Sequence, residues 1–255
     1  MCRHLAHVGP EPVTLASLVT EPPHSLVHQA HAPADMRGGG TVNADGFGVG
    51  FWLGTTANLY KRDQPIWTDS SFLDLAPAIT ATAVVAAVRS ATVGMPLSTA
   101  ACAPFRDEVD GTSWLFSHNG VVRGWPDSMA PLAAELDPVE LLTLDSSTDS
   151  ALLWALVRRR LRAGKDPADA VADVAARALD AAPGSRLNLL LGDGERIVAT
   201  TVDHALSVRT GPGGVTVASE PLDDDPAWTP VPDGTLLVTH GNDVVSSPLG
   251  VTTPG

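Results

Sequence analysis

The residue with the most chemical content in this sequence is Cys2. Methionine removal is sterically easy before a small side chain, and it leaves a cysteine with a free α-amino group, a nucleophile and a base in one residue. An α-amine ordinarily titrates near about 7.7 to 8.0 and a thiol near about 8.5, so near neutrality a useful fraction of amine is free to take the thiol proton. No histidine or aspartate partner is then obligatory. A cysteine in second place is common enough that it needs the company of other groups to signify catalysis.

His118-Asn119-Gly120 offers that company. It follows an apolar run, and an Asn amide and a Gly backbone N–H can be aimed together at one developing oxyanion, the missing Cβ letting the backbone come close. An Asn-Gly hairpin turn is the other reading of these residues. Arg89 ends a run of small apolar residues and opens Arg89-Ser90-Ala91-Thr92, a place where a cation needs an anion to meet. A substrate carboxylate held by the guanidinium fork, with a contact from Thr92, fits that need, and so does an internal salt bridge. Asp149, at a helix start in Ser147-Thr148-Asp149-Ser150, is placed to pair an ammonium or simply to complement the helix dipole.

The turn at residues 43–50, Asn43-Ala44-Asp45-Gly46-Phe47-Gly48-Val49-Gly50, enters a strand and has no helix behind it, so it fails as a dinucleotide fingerprint. It reads as scaffold, with Asn43 and Asp45 bonding local amides. His24, His28 and His31 recur at helical spacing, and with Cys2, His4 and His7 they raise a zinc alternative. Pro22, Pro23 and Pro33 hem in any helix there, no carboxylate cluster completes a ligand set, and no metal is expected. Cys102, between alanines and close to Pro104, reads as a buried or loop thiol.

These groups must be positioned by sheet and helix. After a loop at 22–40 rich in Pro, His and Gly, the runs 49–53, 82–89 and 114–116 read as strands. A helix is predicted over 149–162, with Leu152, Leu153, Leu156 and Leu161 on one side and Arg158, Arg159 and Arg162 largely on the other. A second is capped by Asp166, starts at Pro167 and is stopped by Pro183-Gly184. Short strands follow at 187–191, 196–202, 205–209, 215–219 and 236–239, joined by glycine-bearing turns that favour antiparallel pairing. Several strands are apolar on both faces, which predicts helix layers outside packed sheets.

Composition sets the outer bounds. The 255 residues suit one domain, and no internal repeat or tract divides them. A formal charge of −13 repels phosphate backbones and anionic lipid, so nucleic acid and membrane are not expected partners. The first residues lack a signal-peptide run, the apolar stretches are too short to span a bilayer, and two cysteines make no disulfide framework, so a cytoplasmic location is expected.

Taken in order, Cys2-Arg3-His4-Leu5, the 43–50 turn, Arg89 to Thr92, His118-Asn119-Gly120 and Ser147 to Ser150 resemble the signature of class II glutamine amidotransferases, which are N-terminal-nucleophile hydrolases. Residues 218–225, Ala-Ser-Glu-Pro-Leu-Asp-Asp-Asp, resemble one branch, the amidohydrolases of ergothioneine biosynthesis. The resemblance implies an α+β four-layer αββα sandwich of two antiparallel sheets, as one domain over 2–255. It implies Cys2 as nucleophile, Asn119 and Gly120 as oxyanion donors, and Arg89, Thr92, His118 and Asp149 around the glutamyl group. Arg89 and Thr92 would take the α-carboxylate and Asp149 the α-ammonium. Many members carry His after the Arg-x-Ala-Thr motif where this chain has Val93, which points to a γ-glutamyl compound other than glutamine. The implied substrate is γ-glutamyl-hercynylcysteine sulfoxide, cleaved through a Cys2 thioester with no cofactor and no obligate protein partner. Its trimethylammonium would suit an acidic or aromatic wall. A glutaminase component feeding a separate synthase, and a noncatalytic metal-binding or scaffold protein, are the alternatives.

Overall fold

A computed structural model describes residues 2–35 and 42–250; Met1, residues 36–41 at the end of the Pro-, His- and Gly-rich loop, and residues 251–255 lie outside that description. In chain order the described strands are β1 (Arg3–Thr14), β2 (Phe47–Leu53), β3 (Thr56–Arg62), β4 (Thr80–Val88), β5 (Phe105–Val109), β6 (Thr112–Val121), β7 (Arg186–Gly192), β8 (Ile197–Thr201), β9 (Ser207–Gly211), β10 (Gly214–Ala218), β11 (Thr229–Pro230), β12 (Thr235–His240) and β13 (Asp243–Pro248). The helices are α1 (Leu15–Val19), α2 (Leu26–Gln29), α3 (Ser70–Leu75), α4 (Ala130–Ala133), α5 (Pro138–Leu142), α6 (Asp149–Arg162) and α7 (Pro167–Ala181). One sheet has the order β11-β9-β10-β1-β4-β2-β3 and the other β13-β12-β8-β7-β6-β5. Every pair in both is antiparallel.

Strand alternation divides the core into three apolar layers. On β6, Leu115 lies in the layer between the sheets, with Leu190 of its own sheet and Ala6 and Val85 of the other. Its neighbours Trp114 and Phe116 face α6 and α7, and Phe116 stacks on the fully buried Trp154 at 5.4 Å. On β1, Leu5 turns the other way, into the layer closed by α1, α2 and α3. Helix, sheet, sheet, helix is therefore the order of layers, as the resemblance implies.

The two long helices form where the spacing predicts them. Thr148 caps α6 by accepting from the Ala151 N–H, and Asp166 caps α7 by accepting from Ala168 and Asp169. Arg160 departs from the outward arginine face: it is buried, with bonds to Asp173 and, at 3.2 Å, Glu135, and so ties α6 to α7.

The sequence pattern predicts no strand over 3–14, yet β1 is central, bonded to β10 on one side and β4 on the other. Arg3, His4 and His7 disguise it, being charged or polar types that are buried here. Each has a partner that makes burial affordable: Glu220 for Arg3, Ser117 for His4 and Thr216 for His7.

Candidate active site

Register sets Cys2 beside one of the segments that the sequence singles out, the one that starts at Arg89. Arg3 pairs with Val88, so Cys2 lies at the tip of β1 next to the chain leaving β4 at Arg89, and its Sγ is 3.9 Å from the Ser90 carbonyl oxygen. Cys2 is partly exposed. On the other flank Leu5 pairs with Ala218, and the Ser219 N–H donates to the His4 carbonyl at 2.9 Å, extending that pairing past the end of β10.

The glycine-rich turn fastens the Arg89 loop. The Arg89 N–H donates to the Gly46 carbonyl at 2.8 Å, Asp45 returns a bond to the Arg89 carbonyl at 3.0 Å, and Asp45 Oδ2 accepts the Ala91 N–H at 2.8 Å. Cys102 lies behind this turn with Sγ 3.4 Å from the Arg62 and Ser98 carbonyls, and burial pushes its thiol up. It is a packing thiol. Asn43 is buried, with its N–H on the Ala30 carbonyl at 2.6 Å. Arg89 itself is buried, its guanidinium has no carboxylate partner among the described residues, and its Nη1 makes no hydrogen bond.

Asn119 faces β1 from β6. It is fully buried, and its Nδ2 donates to Ser219 Oγ at 3.0 Å. That hydroxyl also accepts the His4 N–H at 2.9 Å and donates to the His4 carbonyl at 3.1 Å, so Ser219 pins Asn119 to the strand that carries Cys2. A side-chain amide has two N–H groups, and the second remains for another acceptor. At Gly120 a Cβ would overlap the Arg186 backbone carbonyl, so only glycine fits where β6 meets β7.

His118 alternates to the helix side. Its Nδ1 is 3.0 Å from Ser150 Oγ and its Nε2 3.0 Å from the Arg186 carbonyl, so both ring nitrogens are already engaged within the fold. Asp149, buried in the first turn of α6, accepts the Val122 N–H at 3.0 Å and the Ser150 N–H at 2.7 Å. It thereby ties the chain beyond Gly120 to the helix start. Thr92 and Ser147 stand on a cleft of about 560 Å³ with Val93, Met95, Val122 and Trp125.

Three buried groups here were not assigned a role from the residues alone: Arg3, Ser219 and Glu220. Their signal was present in the 218–225 run and in the arginine that follows Cys2, but neither carries recognisable chemistry until the fold brings them together. His4 is held neutral, its pKa well below the usual value through burial and then the nearby His204, His118 and Arg3.

The His24, His28 and His31 rings pack edge to face, with centroids 5.8 and 5.5 Å apart, and His31 continues onto Trp67. Among the described residues no group of three or more His, Cys, Asp or Glu is placed to hold a metal, and no helix is long and apolar enough to cross a membrane.

A family model described as glutamine amidotransferases class-II matches residues 13–213. The gamma-glutamyl-hercynylcysteine sulfoxide hydrolase of Mycolicibacterium smegmatis is 41% identical over 251 residues, covering 98% of this chain and 100% of the relative. A glutamine aminotransferase class-II domain protein from Silicibacter pomeroyi superposes with a TM-score of 0.67 at 21% identity, over 98% of this chain and 100% of that one. The glutamine phosphoribosylpyrophosphate amidotransferase of B. subtilis gives 0.71 at 16% identity, over 99% of this chain and 50% of its own. Sequence and layering agree along almost the whole length, and the chain belongs to the class-II glutamine amidotransferases.

Proposed function

We propose that this chain hydrolyses the γ-glutamyl amide bond of γ-glutamyl-hercynylcysteine sulfoxide, releasing glutamate and hercynylcysteine sulfoxide, with Cys2 as the nucleophile. The observation that carries the reading is Arg89: a buried guanidinium with an unbonded Nη1, one residue before the carbonyl that Cys2 Sγ approaches at 3.9 Å. An unpaired cation in that setting is a receptor for an anion, and the glutamyl α-carboxylate is the anion that a γ-glutamyl substrate brings. Similarity to the M. smegmatis hydrolase over its full length supplies the rest of the substrate.

In this mechanism the Cys2 α-amine takes the thiol proton as sulfur attacks the γ-carbonyl carbon. The oxyanion is met by the second Asn119 N–H and the Gly120 N–H. The C–N bond then breaks as the ammonium returns its proton to the leaving nitrogen, leaving a γ-glutamyl thioester. Water, deprotonated by the same amine, attacks the thioester carbon, and glutamate leaves as the thiol re-forms. Arg89 and Thr92 hold the α-carboxylate and Asp149 the α-ammonium, while His118 positions Asn119 and Gly120 by bracing their strand to α6 and β7. A recess of about 410 Å³ whose lining includes Asp223, Asp224 and Asp225 supports a cationic leaving group.

The test is glutamate release from the sulfoxide and, separately, from glutamine, with Met1 removal confirmed by intact mass and Cys2→Ala run alongside. Cys2-dependent release strongly favouring the sulfoxide is expected, and protein retaining Met1 is expected to be inactive. Preference for glutamine would move the chain to the ammonia-donating class. No release from either substrate would refute hydrolysis.

A further inference from the structure

Arg3 and Glu220 form a buried ion pair, each exposed to 5% or less, with Nε 2.9 Å from Oε1. Desolvating two charges is costly, and apolar residues of similar volume often serve stability as well or better. The remaining contacts of the pair show what it does instead. Arg3 Nη1 donates to the Cys2 carbonyl at 3.3 Å and Nη2 donates to the Asp35 carbonyl, while Glu220 Oε2 accepts the Ala34 N–H at 2.7 Å.

The Cys2 carbonyl matters because a terminal residue has no preceding peptide plane to hold it. Once Met1 is gone, the direction of the α-amine is set by the Cys2–Arg3 peptide plane and by rotation about the Cα–C bond of Cys2. A bond to the carbonyl of that same residue is a backbone handle on this plane, which carries both the α-amine and the thiol. The handle is a guanidinium whose planar fork is fixed by Glu220, and Glu220 is fixed in turn by the Ala34 amide. The preceding residue, Ser219, holds Asn119. Two consecutive residues leaving β10 thus reach both the nucleophile and the oxyanion donor.

We infer that Glu220, acting through Arg3, is a positioning residue for Cys2: the buried pair orients the α-amine and thiol for attack. The inference rests on Cys2 being the nucleophile. Misplacement of a reacting group by about 1 Å costs on the order of a hundredfold in rate, and that is the size of effect expected here.

The experiment uses the full processed chain, with kcat, KM and thermal midpoint measured on the sulfoxide for Arg3→Met/Glu220→Leu, Glu220→Gln and Cys2→Ala. The double variant replaces the pair by apolar side chains, and it is expected to fold with parental stability while kcat falls about a hundredfold and KM changes less than about threefold. Glu220→Gln leaves the Arg3 cation uncompensated beside the α-amine, so the acid limb of its kcat/KM profile is expected to move to lower pH. A stable double variant with parental kcat overturns the inference. Failure of both pair variants to fold makes the pair a folding element and overturns it too. Activity in Cys2→Ala would instead refute the nucleophile reading, whatever the pair variants do.

Discussion

A Cβ built on Gly46 would overlap the buried Cys102 sulfur, so the turn that fastens Arg89 is seated against that thiol with no space between them. Gly46 has φ +124°, a conformation that L side chains rarely adopt, and its carbonyl holds the Arg89 N–H at 2.8 Å. Gly46→Ala is therefore expected to shift the Arg89 loop, raising KM for a γ-glutamyl substrate about tenfold, with backbone strain lowering stability by about 1 to 3 kcal/mol. Steady-state kinetics and thermal melts check it, and an unchanged KM would separate the turn from substrate binding.

Arg89 predicts a trade between function and stability. An unpaired buried cation destabilises the free protein, and methionine keeps much of the stem without the charge. Arg89→Met is expected to raise stability by about 1 to 3 kcal/mol and to lower kcat/KM by at least about a hundredfold. Urea midpoints beside kinetics decide it. A variant that is both less stable and active would show that the guanidinium serves the fold.

Stability toward acid depends on β1. Burial, and after it Arg209, lowers the His7 pKa to about 4, and His4 is depressed in the same direction. Both are neutral in the fold and take up protons on unfolding once the pH is below about 6.5. The contribution of His7 is complete above that pH and is lost as pH falls toward about 4, amounting to about 3 kcal/mol, and that of His4 is lost in the same direction. His7→Asn, whose amide can still meet Thr216, is expected to lose stability less steeply over this window. Urea unfolding at a series of pH values measures the two slopes, and equal slopes would refute the role of His7.

Much of this arrangement was legible before the fold. The leucine spacing of α6 and the Asp166-Pro167 start of α7 are local signals that tertiary packing reinforces, and both helices appear where they were expected. β1 was not legible, because Arg3, His4 and His7 read as surface chemistry until their partners at positions 220, 117 and 216 are brought to them by the sheets. β3 and β13 were missed for another reason: they are edge strands with much polar or exposed surface, and one-sided burial leaves a weak pattern. At the candidate site, the residue types of Cys2, Arg89 and Asn119 openly carried the chemistry proposed for them. Ser219 and Glu220 did not, since a serine and a glutamate become clamps only through what stands opposite them.

Cys2, the proposed nucleophile, is carried at the tip of a strand hydrogen-bonded along both flanks, Leu5 lying between Ala218 and Ala86, so its ordering entropy is settled largely during folding rather than at substrate binding. Its strand then has no melting transition separate from the sheet. On warming, activity should persist until the seven-stranded sheet opens, and the amides of Leu5 and Ala6 should exchange with solvent only through that same global event.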